Sequence, residues 1–236
     1  MDRKYYNNYE KLEKAHWWHL ARLEILKSIC DNYIARENRI LNLGVATGET
    51  SLMLNAYGEV LSLEYDKETY DFLKSKKGIN AVLGSATDIP FDDNSFDCIC
   101  CFDVLEHIEN DDLAVQEIYR CLKPGGVAII TVPAYNFLWS NHDIEMHHFR
   151  RYNKFQFNKI FTKHGFSILK LSYFNFFLFH PIFLFRFFLS KKKKNYEVFS
   201  YGFMNKVLYQ IFRFEKLLLR YTNFPYGVSI LSILKK

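Results

Sequence analysis

Seven polar side chains crowd into one short stretch: His142, Asp143, His147, His148, Arg150, Arg151 and Tyr152. Imidazoles exchange protons near neutral pH, and a carboxylate beside one fixes which ring nitrogen carries the proton. His142 or His148 is therefore a candidate general base, with Asp143 as its orienting group. Arg150 or Arg151 offers a planar fork to an anionic acceptor such as a phosphate or carboxylate, and Tyr152 completes the set. The plain alternative is a loop tied down by its own hydrogen bonds. Neighbouring histidines rarely converge on one ion, so no metal ligands are assigned.

A second group of residues points to a bound ligand rather than to proton transfer. In the stretch from Leu41 to Gly48, the small residues Gly44, Ala46 and Gly48 alternate after an apolar run. Such a turn lets a ligand meet bare backbone, and the helix that follows presents free N–H groups. Glu64 lies twenty residues beyond Gly44, after the apolar run Val60–Leu63. A carboxylate there can accept both hydroxyls of a ribose. The pattern expected is a nucleoside-binding site.

These residues need elements to hold them. Apolar runs at 39–43, 59–63, 80–84, 97–102, 126–132, 167–173 and 227–233 read as strands. Segments at about 48–57, 67–76, 105–122 and 153–165 read as helices between them, and 9–35 is helical as well. Alternation of this kind implies parallel strands, crossover helices and ligands at the strands' carboxyl ends. The expected division is a helical cap over 1–38, a core over 39–173, an insertion over 174–224 and a last core strand over 225–236.

The 236-residue chain is 49% apolar, enough for one sizeable core. Its first residues lack the apolar stretch of a signal peptide, so a cytoplasmic protein is expected. Cys98 and Cys101 form a C-x-x-C, but residues three apart on a strand point to opposite faces. The cysteines therefore read as small buried hydrophobes. Positive charge is concentrated: 174–224 carries nine Lys/Arg against two acids, and the remainder has 22 basic and 24 acidic residues.

The insertion opens with the aromatic run Tyr173–Leu189, followed by Lys191–Lys194. Interrupted by Asn175, His180, Pro181 and Arg186, that run falls short of the ~20 clean apolar residues of a membrane span. From about 203 to 220, Lys206, Arg213, Lys216 and Arg220 share an arc of about 80° on a helical wheel. Met204, Val207, Leu208, Ile211, Phe214 and Leu218 lie opposite. A basic face opposite an apolar one suits an anionic membrane surface; capping of the protein's own domain is the bland alternative. Nucleic acid is not expected, because the aromatics are Phe in dense apolar blocks rather than spaced among basic residues.

Six blocks in order resemble class I S-adenosylmethionine-dependent methyltransferases. They are Asn42–Gly48, Glu64, Ala86–Phe91, Asn94–Asp97, Val104–Ile108 and Leu122–Gly126. The resemblance implies an α/β, Rossmann-like fold. Its seven-stranded, mostly parallel sheet would carry an N-terminal helical cap and a helical insertion before the last strand. It also implies S-adenosylmethionine as cofactor and methyl transfer as the reaction. Gly44, Ala46 and Gly48, with Asn42 and Thr47 in the same loop, would meet the methionine part of the cofactor. Glu64 would hold the ribose, Ser85 and Ala86 would border the adenine, and Phe102 and Asp103 would flank the methionine and sulfonium. Asn42, Ala46 and Ser85 depart from the family's common acid, glycine and aspartate.

Val132–Asp143 with His148–Tyr152, and the early His16, Trp17, Trp18 and Arg22, resemble a bacterial and archaeal methyltransferase subgroup. The expected acceptor is a small, hydrophobic or lipid-linked molecule, including a glycan intermediate, met at the inner face of the membrane. The alternatives are a soluble metabolite under an insertion that serves as a lid, and a membrane-associated member that has lost turnover. The resemblance carries no oligomeric state.

Overall fold

A computed structural model describes residues 3–76, 78–188 and 202–236. Two helices come first, α1 (Arg3–Ala15) and α2 (Trp17–Tyr33). His16 between them is extended, and its ring nitrogen accepts the Trp18 N–H at 3.2 Å, so it caps α2. Next come β1 (Asn38–Leu43), α3 (Glu49–Leu54), β2 (Gly58–Glu64), α4 (Lys67–Lys74), β3 (Asn80–Leu83) and β4 (Phe96–Phe102). After these follow α5 (Asp111–Cys121), β5 (Leu122–Pro133), α6 (Asn141–Glu145), α7 (Lys154–Lys163) and β6 (Ser167–Phe174). The chain closes with α8 (Phe179–Phe188), α9 (Phe203–Leu219) and β7 (Ser229–Lys235).

The strands form one seven-stranded sheet in the order β3-β2-β1-β4-β5-β7-β6. All pairs are parallel except those of β7, which runs antiparallel to both neighbours. Leu41 and Leu43 of β1 and Ile99, Cys100 and Cys101 of β4 are fully buried, as central strands covered on both faces require. All five cysteines are buried and free, as the sequence suggests. Strand order reverses between β1 and β4, so the crevice beyond their carboxyl ends is the topological switch point where open α/β sheets bind ligands.

Expected and observed elements agree in type and differ at their ends. The segment 105–122 divides into a 3-10 turn, Leu105–His107, and α5. The break arises because Asn110 accepts the Leu113 N–H at 3.2 Å and starts a new helix there.

The insertion differs more. α9 packs along α2, with Phe212 and Leu219 fully buried. The Phe212 ring meets Trp17 at 6.0 Å and Phe174 at 6.1 Å. The basic face expected to stand toward a membrane is largely paired within the protein. Glu24 of α2 binds Arg213 at 2.7 Å and also Lys216 and Tyr209, while Arg220 donates to Asn32 at 3.0 Å. The expected apolar face is split, with Met204, Ile211 and Phe214 exposed beside Phe203 and Leu217. No helix among the described residues is long and apolar enough to cross a membrane. Lys191–Lys194 lie outside the described residues.

Candidate active site

Beyond β1 the chain turns through Gly44 (φ +60°), Ala46 (φ +47°) and Gly48 (φ +93°) into α3. A Cβ on Gly44 would stand 2.6 Å from Val104 Cγ2, and one on Gly48 would stand 2.1 Å from Ile79 Cδ1. Both positions therefore need glycine. Ala46 holds the same left-handed backbone with a methyl group, at a cost of about 1–2 kcal/mol.

Glu64, at the end of β2, clamps this loop. Its Oε2 accepts the Val45 N–H at 3.2 Å and its Oε1 accepts the Asp66 N–H at 3.1 Å. Burial raises its pKa, and those hydrogen bonds oppose the rise. The Asn42 amide donates to Thr50 Oγ1 and Ser51 Oγ, both at 2.9 Å, and its Oδ1 is buried with no hydrogen-bond partner among the described residues. Thr47 is buried, and its hydroxyl donates to Glu13 of α1. Burial, then the charge of Glu49, pushes Glu13 up to about 7. Ser85 shapes the turn after β3, bonding Thr87 Oγ1 at 2.8 Å and accepting its N–H at 3.1 Å, with Ala86 half-buried between them.

At the end of β4, Phe102 is buried and Asp103 takes a left-handed backbone, φ +58°. Arg22 of α2 reaches over this point. Its Nη2 lies 2.6 Å from Asp103 Oδ2, and its guanidinium sits 5.2 Å from the Trp18 ring and 6.0 Å from the Phe102 ring. Its Nε is buried with no hydrogen-bond partner among the described residues. His19, one turn earlier on α2, is depressed to about 3 by burial and then by Arg22, His16 and His142. From the sequence, Arg22 and His16 were visible only as part of a subgroup resemblance, and Glu13 and His19 carried no signal. Contacts between distant segments reveal Arg22, Glu13 and His19, whereas His16 acts locally as the cap of α2.

The loop after β5 is organised around Asp143, which is fully buried at the start of α6. Its Oδ1 lies 2.9 Å from His148 Nδ1 and 2.7 Å from Arg151 Nε, and its Oδ2 accepts the Ser140 N–H at 2.8 Å. Burial pushes its carboxyl up, but His148 and Arg151 more than reverse this and hold it well below the usual carboxylate range. Of the two candidate imidazoles, His148 is the one whose ring lies against Asp143.

The two arginines are occupied differently from the expectation. Arg151 is buried against Asp143 and donates to the Ala134 carbonyl at 3.1 Å. Arg150 pairs with Asp111 at 2.6 Å. Tyr152 is buried too, its hydroxyl donating to Asp111 at 2.7 Å. Arg150 and Tyr152 tie the loop to α5, and Arg151 ties it to Asp143 and the end of β5. His142 stands with its ring 6.3 Å from that of His148, and burial, then Arg186, lowers it to about 4. His147 is exposed and has left-handed backbone, φ +55°. His107 and Glu106 meet His148 from the other side, with the His107 and His148 rings 4.5 Å apart.

Comparison with known proteins brings these features together. A family model described as a methyltransferase domain matches residues 41–130, the span holding the glycine loop, Glu64 and the end of β4. Residues 41–130 are thus a methyltransferase domain, carried on the sheet order of the class I S-adenosylmethionine-dependent methyltransferases. A demethylmenaquinone methyltransferase of Staphylococcus carnosus is 29% identical over 131 residues, 52% of this chain and 52% of that protein. An uncharacterized protein of Methanocaldococcus jannaschii is 33% identical over 148 residues, 61% of this chain and 55% of that one. The chain therefore spans only about half the length of such curated relatives. A solved structure from Thermotoga maritima, a possible histamine N-methyltransferase, superposes with a TM-score of 0.62 at 19% identity. It covers 99% of this chain and 97% of its own, a likeness of fold alone.

S-adenosylmethionine is the family's cofactor, and the residues present fit it. The backbone cradle at Gly44 excludes a Cβ, Glu64 offers buried carboxylate oxygens, and Arg22 keeps a buried donor unmatched among the described residues at the end of β4.

Proposed function

We propose that this chain transfers a methyl group from S-adenosylmethionine to a small hydrophobic acceptor held between the loop after β5 and α8. Supporting this, α8 lies over that loop. Arg186 donates to the Leu138 carbonyl at 2.7 Å, and Phe183 meets Phe137 at 5.9 Å. Phe179 meets Tyr135 at 6.0 Å, and Tyr135 stacks on Tyr173 at 5.0 Å. An aromatic wall of this kind excludes water and favours an apolar acceptor. The first helix of the insertion then acts as a lid.

When bound, the cofactor supplies a methyl group already activated by a sulfonium, so the chain's tasks are positioning, desolvation and handling of one proton. Glu64 holds the ribose and the backbone of Gly44, Ala46 and Gly48 meets the methionine end, with Asn42 and Thr47 bracing the loop from behind. Ser85 and Ala86 border the adenine. Phe102, Asp103 and Arg22 bound the methyl-bearing end. The imidazole pair His142 and His148 takes the acceptor's proton, with Asp143 fixing the His148 tautomer. The single observation that carries this assignment is the 2.9 Å contact between the buried Asp143 and His148.

The test is transfer of labelled methyl from S-adenosylmethionine into an extract of the source cells, followed by organic and aqueous partition, with Gly44→Asp as blank. Label in the organic phase above the blank is expected. Label confined to the aqueous phase refutes the apolar acceptor, and none in either phase counts against methyl transfer itself.

A second reading places the acceptor in a membrane. The exposed row of Phe203, Met204, Ile211, Phe214 and Leu217 on α9 favours it. Flotation with anionic liposomes decides: full recovery in the soluble fraction rejects the membrane.

A further inference from the structure

We infer that Glu106, His107 and His148 form a binding site for one divalent transition-metal ion, with zinc the best match to the donor set. One ligand atom from each of the three lies within 4.8 Å of the others. Two imidazoles and a carboxylate are a recurrent zinc set that leaves a further position open.

Each arm is braced in the manner of metal ligands. The Nδ1 of His148 sits 2.9 Å from the buried Asp143 carboxylate, leaving Nε2 as its ligand atom. His107 has a backbone hydrogen bond with Met146. The Glu106 carbonyl accepts the Phe149 N–H at 2.7 Å, joining the 3-10 turn to the loop that carries His148. The site is therefore assembled from two segments already locked together.

The strongest sign is Glu106 itself. It is 1% exposed, and its Oε2 has no hydrogen-bond partner among the described residues. A buried carboxyl left in that state is costly, and an ion beside it removes the cost. His107 is exposed, which leaves the ion a way in.

Without an ion, the two rings simply pack edge to face, at 4.5 Å and 90°. Glu106 and His107 lie in the 3-10 turn just beyond Phe102, so the ion would stand near the end of β4. There an acceptor oxygen is the natural remaining ligand, and proton acceptance passes from His148 to His142. That last step rests on the methyl-transfer reading; the ion site does not.

The experiment uses the full chain without S-adenosylmethionine. It is loaded with zinc, desalted and analysed for metal by mass spectrometry, then loaded with cobalt(II) for visible spectroscopy. Expected are about one equivalent of retained zinc and the intense visible bands of cobalt(II) in a low-coordinate site. His107→Ala and His148→Ala each lower metal affinity about tenfold or more, with circular dichroism unchanged. His164→Ala, whose ring pairs with Asp112 on another face, retains the metal. Retention that is negligible in the parent chain, or equal in His107→Ala, overturns the inference. Failure of the methyl-transfer assay with intact metal binding speaks against the reaction alone.

Discussion

Asp143→Asn removes one charge from the most connected side chain of the loop after β5 while keeping its shape. The side chains of Asp143 and Arg151 are 0% and 2% exposed, so water cannot replace the partner that Arg151 loses. His148 and the Ser140 N–H lose a charged acceptor in the same step. Breaking one member of a buried ion pair costs about 3–5 kcal/mol. Against a total stability of about 5–15 kcal/mol, that is a large share. It corresponds to a fall in melting temperature of roughly 6–20 °C for a chain of this size.

The assay is urea denaturation followed by tryptophan fluorescence, with an unchanged slope as the check on two-state unfolding. Asp112→Asn is the control: the Lys163–Asp112 pair is 60% and 42% exposed, so its loss stays within about 1 kcal/mol. An Asp143→Asn effect no larger than the control's refutes the claim that buried charge holds this loop. The pH dependence adds a second check. Asp143 titrates below its unfolded value of about 3.9, so its contribution is complete above that pH and fades as pH falls through the lower folded value. The parent and variant stability curves therefore converge in acid.

Glu215 behaves with the opposite sign. Burial raises its folded pKa to about 7 despite hydrogen bonds from the backbone of Phe177, Asn175 and Phe176, so stability is complete below about 4.5 and declines as pH rises toward 7. Glu215→Gln flattens that decline by about 1.4 kcal/mol per pH unit, read from urea midpoints across this range; parallel curves contradict it. Glu64→Gln weakens S-adenosylmethionine binding by roughly 10- to 100-fold in calorimetry, because a charged acceptor is worth about 1.5–3 kcal/mol. Unchanged affinity removes Glu64 from the ribose site. Gly48→Ala must hold φ +93° and displace Ile79, whose Cδ1 would stand 2.1 Å from the new methyl. It loses at least about 1–2 kcal/mol by the same denaturation assay, and an unshifted midpoint refutes the strain argument.

Much of this protein is determined by the sequence alone. Apolar runs of strand length, alternating with helical segments, establish the sheet, because periodicity is a local property that each segment carries by itself. The glycine loop and the Glu64 spacing are legible for the same reason: a left-handed turn demands small residues wherever the chain lies. That Asp143 orients a nearby imidazole is a reading the sequence also offers, but it leaves His142 and His148 equal; the fold puts His148 at 2.9 Å from Asp143. Tertiary structure decides which charges are left over. Arg150 and Arg151 look available for a substrate until α5 brings Asp111 to one and Asp143 turns inward to the other. The basic face of α9 looks free until α2 presents Glu24 to it. Arg22 gains its place at Asp103, and Glu106 its isolation beside two histidines, only when distant segments pack together. A charge's partner is whatever the fold places within a few ångströms, and no pattern along the chain encodes that distance.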